Sequence, residues 1–226
     1  MSGERTEQRA LLLIGSPHAD GASASLGRYP LSLLAEAGRR TDEVRLYPAL
    51  AGDERRRELV ERLLGAELVL LSAPLYCDGL PAAVVEALEL WSRARREANP
   101  PPGQALAAVV NSGFPEPEQS RFALTCARLF CEQSGVRWLG GLACGAGAQI
   151  SGKDPAVQGP PPWREALRLT AEALAAGRPV PHHAVELAAR VRPPGAVYYL
   201  FSNPAWYALA LKNRALRRFK AQPHLR

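Results

Sequence analysis

The chain has 226 residues, 47% of them hydrophobic, which suffices for one substantial core and a small appendage. No apolar run reaches eighteen residues and residues 1–9 are polar and charged, so neither a membrane-spanning helix nor a secretory leader is expected and the protein is read as cytoplasmic. The net charge of +6 is local: Lys212, Arg214, Arg217, Arg218, Lys220 and Arg226 lie beyond Leu211 with no acid among them, leaving 22 basic and 22 acidic residues elsewhere, which argues against a nucleic-acid surface on the main body.

An apolar run at 10–14 predicts the first strand, and Gly15-Ser16-Pro17-His18 begins the turn that follows it. A helix is expected over 23–39, with Leu26, Leu31, Leu34 and Ala35 inward, then a short strand at 43–47. A charged helix follows over 53–64, which Asp53 could cap, with Leu59, Val60, Leu63 and Leu64 on its apolar side. Residues 67–73 form a continuous apolar run, as in a central parallel strand covered on both faces. Pro81 suits the first position of a helix over 81–97, with Val84, Val85, Leu88 and Trp91 spaced for burial. Residues 99–103, Asn-Pro-Pro-Pro-Gly, cannot be helical. Residues 105–110 read as the fourth strand, 117–134 as a helix with Phe122, Leu124, Ala127, Leu129 and Phe130 inward, and 136–142 as the fifth strand.

Strands alternating with helices imply an α/β fold with a doubly wound, five-stranded parallel sheet, whose commonest form is flavodoxin-like, order 2-1-3-4-5. A covering helix over 163–176 completes a domain at 1–178. Residues 179–226 read as a helical, basic C-terminal extension, with a short helix at 185–191 and, over 197–219, Tyr198, Tyr199, Phe201, Trp206 and Tyr207 ahead of the basic end.

Ligands of such sheets collect beyond the carboxyl ends of the strands, here the loops at 15–23, 74–81, 111–116 and 143–148. The first joins a strand to a helix start, where unpaired N–H groups and the helix dipole welcome an anion. Ser16, Ser23 and Ser25 add hydroxyls, so the loop reads as a phosphate cradle, or else as a serine-rich turn that caps a helix. It lacks both the lysine of a P-loop and the Gly-x-Gly-x-x-Gly of a dinucleotide fold, which favours a phosphomonoester on a smaller cofactor. Tyr76 and Phe114 offer aromatic surfaces in the second and third loops, and together the loops outline a flavin mononucleotide site.

The strand leading to Gly15-Ser16-Pro17 and a serine-rich loop, the run from Pro74 to Pro81, the run from Asn111 to Glu116, and Trp138 to Gly147 resemble, in order, the flavodoxin-like NAD(P)H-dependent FMN reductase and NAD(P)H:quinone oxidoreductase superfamily. The resemblance covers 11–152. It implies phosphate contacts from Ser16, His18, Ser23, Ala24 and Ser25, a flavin edge lined by Pro74, Leu75, Tyr76 and Cys77 largely through backbone groups, and a ring pocket completed by Asn111, Ser112, Gly113 and Phe114. It further implies FMN as cofactor, NADH or NADPH as co-substrate, a small acceptor such as a quinone, and a homodimer. His18 stands where many relatives carry arginine and Ala22 where they carry Asn or Thr, which removes a bidentate phosphate donor. These two departures leave room for a second reading, a non-catalytic binding module acting through the basic tail.

Other chemistry finds little support. Cys77, Cys126, Cys131 and Cys144 form no Cys-x-x-Cys pair, and no metal site is expected. Adjacent His182 and His183 would point about 100° apart on a helix, so both are read as solvated. Ser16 lacks a hydrolase elbow and a placed histidine. No catalytic acid or base is assigned. The tail runs from aromatic to basic, which suits an amphipathic helix on an anionic membrane or a helix docked on protein with its cations solvated.

Overall fold

The computed structural model describes residues 9–98, 103–192, 194–218 and 221. The expectations for residues 1–8, for most of the 99–103 connection, and for Phe219, Lys220 and Arg226 fall outside these. Five strands, β1 (Arg9–Ile14), β2 (Arg40–Arg45), β3 (Leu68–Pro74), β4 (Ala105–Asn111) and β5 (Arg137–Cys144), form one sheet in the order β2-β1-β3-β4-β5. All four pairings are parallel. β3 and β4 are buried at every position, as their unbroken apolar sequences require of strands covered on both faces.

Alternation along β1 divides the core. Ala10, Leu12 and Ile14 face α1 (Ala22–Glu36), α7 (Pro161–Ala175) and α8 (His182–Ala189); Leu11 and Leu13 face α3 (Asp53–Leu64), α4 (Ala82–Ala98) and α5 (Arg121–Ser134). Gly27 lets α1 lie directly on the sheet: a Cβ there would come within 2.6 Å of Leu12 Cδ1 and 2.8 Å of Ser72 Cβ. On the opposite face Trp91 and Phe130 meet with ring centroids 5.5 Å apart. Buried Gln104 closes the end of α3, its amide donating to the carbonyls of Leu63 at 2.9 Å and Ala66 at 2.6 Å.

Several expectations differ in detail. The residue before α3 is Gly52, and Asp53 is its first helical position with no capping bond. β2 begins three residues earlier than its apolar content suggested, because its register with β1 runs from Arg9↔Arg40 to Ile14↔Arg45. Residues 117–120 form a 3-10 turn before α5, and that shift of phase leaves Phe122 and Leu129 exposed while Ala123, Ala127 and Cys131 take the inner positions. Ala35 and Val85 are likewise exposed.

α8 lies beyond position 178, yet it packs on α7 and β5, and Trp163 Nε1 donates to the Ala188 carbonyl at 3.0 Å. The first compact unit therefore runs to Arg192 and the second begins at Pro193. Two helices are single turns, α2 (Leu46–Ala49) and α6 (Pro155–Gln158); the second unit holds α9 (Gly195–Lys212) and a 3-10 turn at Leu216–Arg218. No helix among the described residues is long and apolar enough to cross a membrane.

Candidate cofactor-binding site

The strand order reverses between β1 and β3, and in sheets of this kind ligands collect at the loops that leave the carboxyl ends there. After β1, Gly15 N–H donates to the Ser72 carbonyl at 2.9 Å, extending the β1–β3 pairing by one residue and placing Ser16 at the strand tip. Ser16 is buried, and its hydroxyl accepts the His18 N–H at 3.2 Å, which folds the loop back toward α1. His18 itself is exposed.

α1 begins without a side-chain cap on Gly21. The N–H groups of Ala22, Ser23 and Ala24 form its first turn and have no place in the helical ladder, whose first bond runs from Ser25 N–H to the Gly21 carbonyl at 3.1 Å. A Cβ on Gly21 would lie 3.3 Å from His18 Cβ and 3.6 Å from Ser16 Oγ, filling the concavity between loop and helix. Three outward N–H donors, the positive end of a fifteen-residue helix and a neighbouring hydroxyl suit an anion with several acceptor oxygens. Arg28, nearly two turns in, is engaged elsewhere: its guanidinium forks onto Glu43 with both bonds at 2.9 Å and reaches Asp20 at 3.1 Å.

The serines of this loop have separate tasks. Ser23 turns inward and donates to Asn111 Oδ1 at 2.7 Å, while its carbonyl accepts from Ser72 Oγ at 2.6 Å. This pair of bonds ties the start of α1 to the ends of β3 and β4. Ser25 lies beyond the first turn and faces a different cleft, lined also by Asp20, Arg28, Tyr29 and Lys153. Ser23 and Ala24 thus bring backbone donors to the cradle, and Ser16 is the one predicted serine whose hydroxyl lies at its rim.

The chain leaves β3 through a two-residue hairpin. Tyr76 and Gly79 exchange N–H···O bonds of 3.0 Å each, and the central residues Cys77 and Asp78 have φ of 48° and 60°. Positive φ at both positions defines a type I′ turn, which ordinarily takes Asn and Gly. Holding two other side chains there costs about 1–2 kcal/mol each, a strain that concentrates at ligand-binding segments. The turn consumes the Tyr76 N–H, and Leu75 N–H donates to the Asn111 carbonyl at 2.8 Å. The N–H groups of Cys77 and Asp78 have no backbone partner among the described residues, so the turn aims its donors outward.

Leu75, Cys77, Asp78, Ser112, Gly113, Phe114 and Gln119 line one cleft of about 620 Å³. Pro74 is buried as the last residue of β3 and Asn111 as the last of β4, paired with each other in register, so both hold the cleft from behind. Ser112 donates through Oγ to the Phe114 carbonyl at 3.1 Å and through its N–H to the Cys144 carbonyl at 3.0 Å, which fixes the loop that carries the exposed Phe114 ring. Tyr76 does not line this cleft. Its phenol is pushed above the ordinary tyrosine value, first by burial and then by Tyr47, with a hydrogen bond to Ser16 acting the other way. The residue is 42% exposed at the start of the turn.

Asp78 and Gln119 are cleft residues that sequence reasoning missed. Asp78 stood inside the quoted loop, and its signal was the two-residue spacing between Tyr76 and Gly79. Gln119 carried no signal, because its position depends on the 3-10 turn that displaces α5. The four cysteines are free thiols, and the described residues contain no cluster of three metal-ligating side chains.

No protein-family model matches the sequence, and no curated protein matches it. Solved structures do match. The FMN-dependent NADH-azoreductase of Bacillus anthracis str. Ames Ancestor, in complex with FMN, has 13% identity and a TM-score of 0.56, with 74% of this chain and 99% of that one covered. An NADH:FMN oxidoreductase in its apo form has 13% identity and a TM-score of 0.57, over 84% of this chain and 98% of its own. The NAD(P)H:quinone oxidoreductase of Methanothermobacter marburgensis has 14% identity and a TM-score of 0.51, over 75% and 98%. At such identities the likeness is one of architecture, and with the observed strand order it establishes that this chain has the flavodoxin-like fold.

Proposed function

We propose that the protein is an FMN-dependent oxidoreductase that uses NADH or NADPH to reduce a small acceptor such as a quinone. The observation that carries this reading is an uncapped helix N-terminus beside Ser16, tied through the Ser23–Asn111 bond to the strand end that borders a cleft lined by Leu75, Cys77 and Phe114. These two features match the two ends of FMN, an anionic phosphate and a flat, largely apolar ring with polar edges. One structural neighbour holds FMN, and others are named as NADH or NAD(P)H oxidoreductases.

In this reading Ser16 Oγ and the N–H groups of Ala22, Ser23 and Ala24 hold the phosphate. The N–H groups of Cys77 and Asp78 donate to the ring's polar edge, and Leu75 and Phe114 keep water from its face. FMN held there would supply the redox chemistry that links a nicotinamide donor to the acceptor. The protein's contribution is orientation and exclusion of water, with no side chain required as acid or base. The test is the absorbance spectrum of the isolated protein before and after FMN addition, followed by anaerobic NADH or NADPH. A bound flavin bleached by the nicotinamide is expected; a protein that takes up no FMN overturns the reading.

A further inference from the structure

α9 contains no charged residue before its last position, Lys212, and no acidic residue follows Glu186 in the chain. At about 100° per residue, Leu200 and Leu211 fall on one side of this helix, while Trp206 and Leu209 fall on the other. All four are exposed, Leu200 at 68%, Trp206 at 59% and Leu211 at 66%. Its polarity therefore runs along its axis and not around it, which differs from the amphipathic helix expected from sequence. The exposed cations Lys212, Arg214, Arg217 and Arg218 follow at the C-terminal end.

We propose that this second unit docks the protein on an anionic lipid bilayer. The apolar turns of α9 enter the interfacial zone, and the basic end stays among the headgroups. A helix apolar on opposite sides gains by withdrawing from water, and the run of cations at its end matches anionic headgroups. Indole and leucine side chains suit that zone, and each nearby cation adds about 1 kcal/mol, or about fivefold, against anionic lipid. Insertion is shallow, since α9 is too short and too polar around Ser202, Asn203 and Pro204 to span. The charge pattern selects lipid over a second copy of this unit, because two such tails carry only like charge. This inference stands independently of the FMN reading, which concerns the other unit.

The test is sedimentation of the full-length protein with vesicles of pure phosphatidylcholine and of phosphatidylcholine with 30% phosphatidylserine, a composition set at about physiological anionic content. Binding to the anionic vesicles is expected, weakened by salt and by at least about a hundredfold on neutral vesicles. The triple variant R214Q/R217Q/R218Q should lose about a hundredfold in affinity, and Trp206→Asp should lose binding at every salt concentration. Circular dichroism and light scattering of each variant separate loss of docking from loss of folding. Equal binding to neutral and anionic vesicles, no binding to either, tighter binding to duplex DNA than to vesicles, or a Trp206→Asp change that only turns a dimer into a monomer would each overturn the proposal.

Discussion

Replacing Ser23 with alanine tests whether the cradle is built from the inside. Ser23 is 2% exposed and Asn111 7%, and their 2.7 Å bond joins the start of α1 to the end of β4. Removing the hydroxyl leaves a buried amide oxygen without its donor, at a cost of about 1–3 kcal/mol. Alanine's better helix propensity returns about 0.5 kcal/mol. The net loss of about 1–2 kcal/mol corresponds, at a urea m-value near 2 kcal/mol/M, to a midpoint lowered by about 0.5–1 M. The measurement is urea unfolding without FMN, for Ser23→Ala, Asn111→Ala and the double variant. The cycle should give a coupling of about 1 kcal/mol. A single-variant change below about 0.5 kcal/mol, with additive costs in the double, would refute the structural role and return both residues to the ligand contacts that sequence suggested.

Gly21→Val should weaken FMN binding more than about tenfold in fluorescence titration, because the new side chain fills the space beside His18 and Ser16, while stability changes by less than about 1 kcal/mol. His18→Arg restores a bidentate donor and should tighten FMN by about tenfold; no change would mean that the phosphate lies away from this loop. Burial pushes the thiols of Cys131 and Cys144 up to about 12, so both stay protonated at pH 8 and react slowly with a maleimide. Exposed Cys77 should label first, and FMN should protect it; rapid labelling of Cys144 in mass spectra would contradict the fold.

The sheet was legible because parallel strands covered on both faces leave an unmistakable apolar run, as at 68–74 and 105–111, and the intervening helices carry their own periodicity. Boundaries slipped where tertiary contacts outweigh local signals. β2 is held by pairing to β1 despite its Arg-Thr-Asp-Glu-Val-Arg sequence, and the phase of α5 is reset by a 3-10 turn that spacing alone does not reveal. In the candidate site the loops were legible and the directions of their side chains were not. Ser16 and Ser23 look alike in sequence, yet one lines the cradle rim and the other points into the core, since Asn111 sits 88 positions away and only folding brings it near. The run from Pro74 to Pro81 likewise read as one loop, and the type I′ turn between Tyr76 and Gly79 appeared only in the backbone angles of Cys77 and Asp78.

The phosphate cradle proposed at the start of α1 is the feature on which the functional account rests, and the comparison of FMN with riboflavin measures it directly. Riboflavin has the same ring and lacks the phosphate. Titration of each against the protein should give FMN an affinity about a hundredfold higher, the scale of several charge-assisted hydrogen bonds at a helix N-terminus, with the gap narrowing in Gly21→Val. Equal affinities for the two flavins, or no binding of either, would contradict the account.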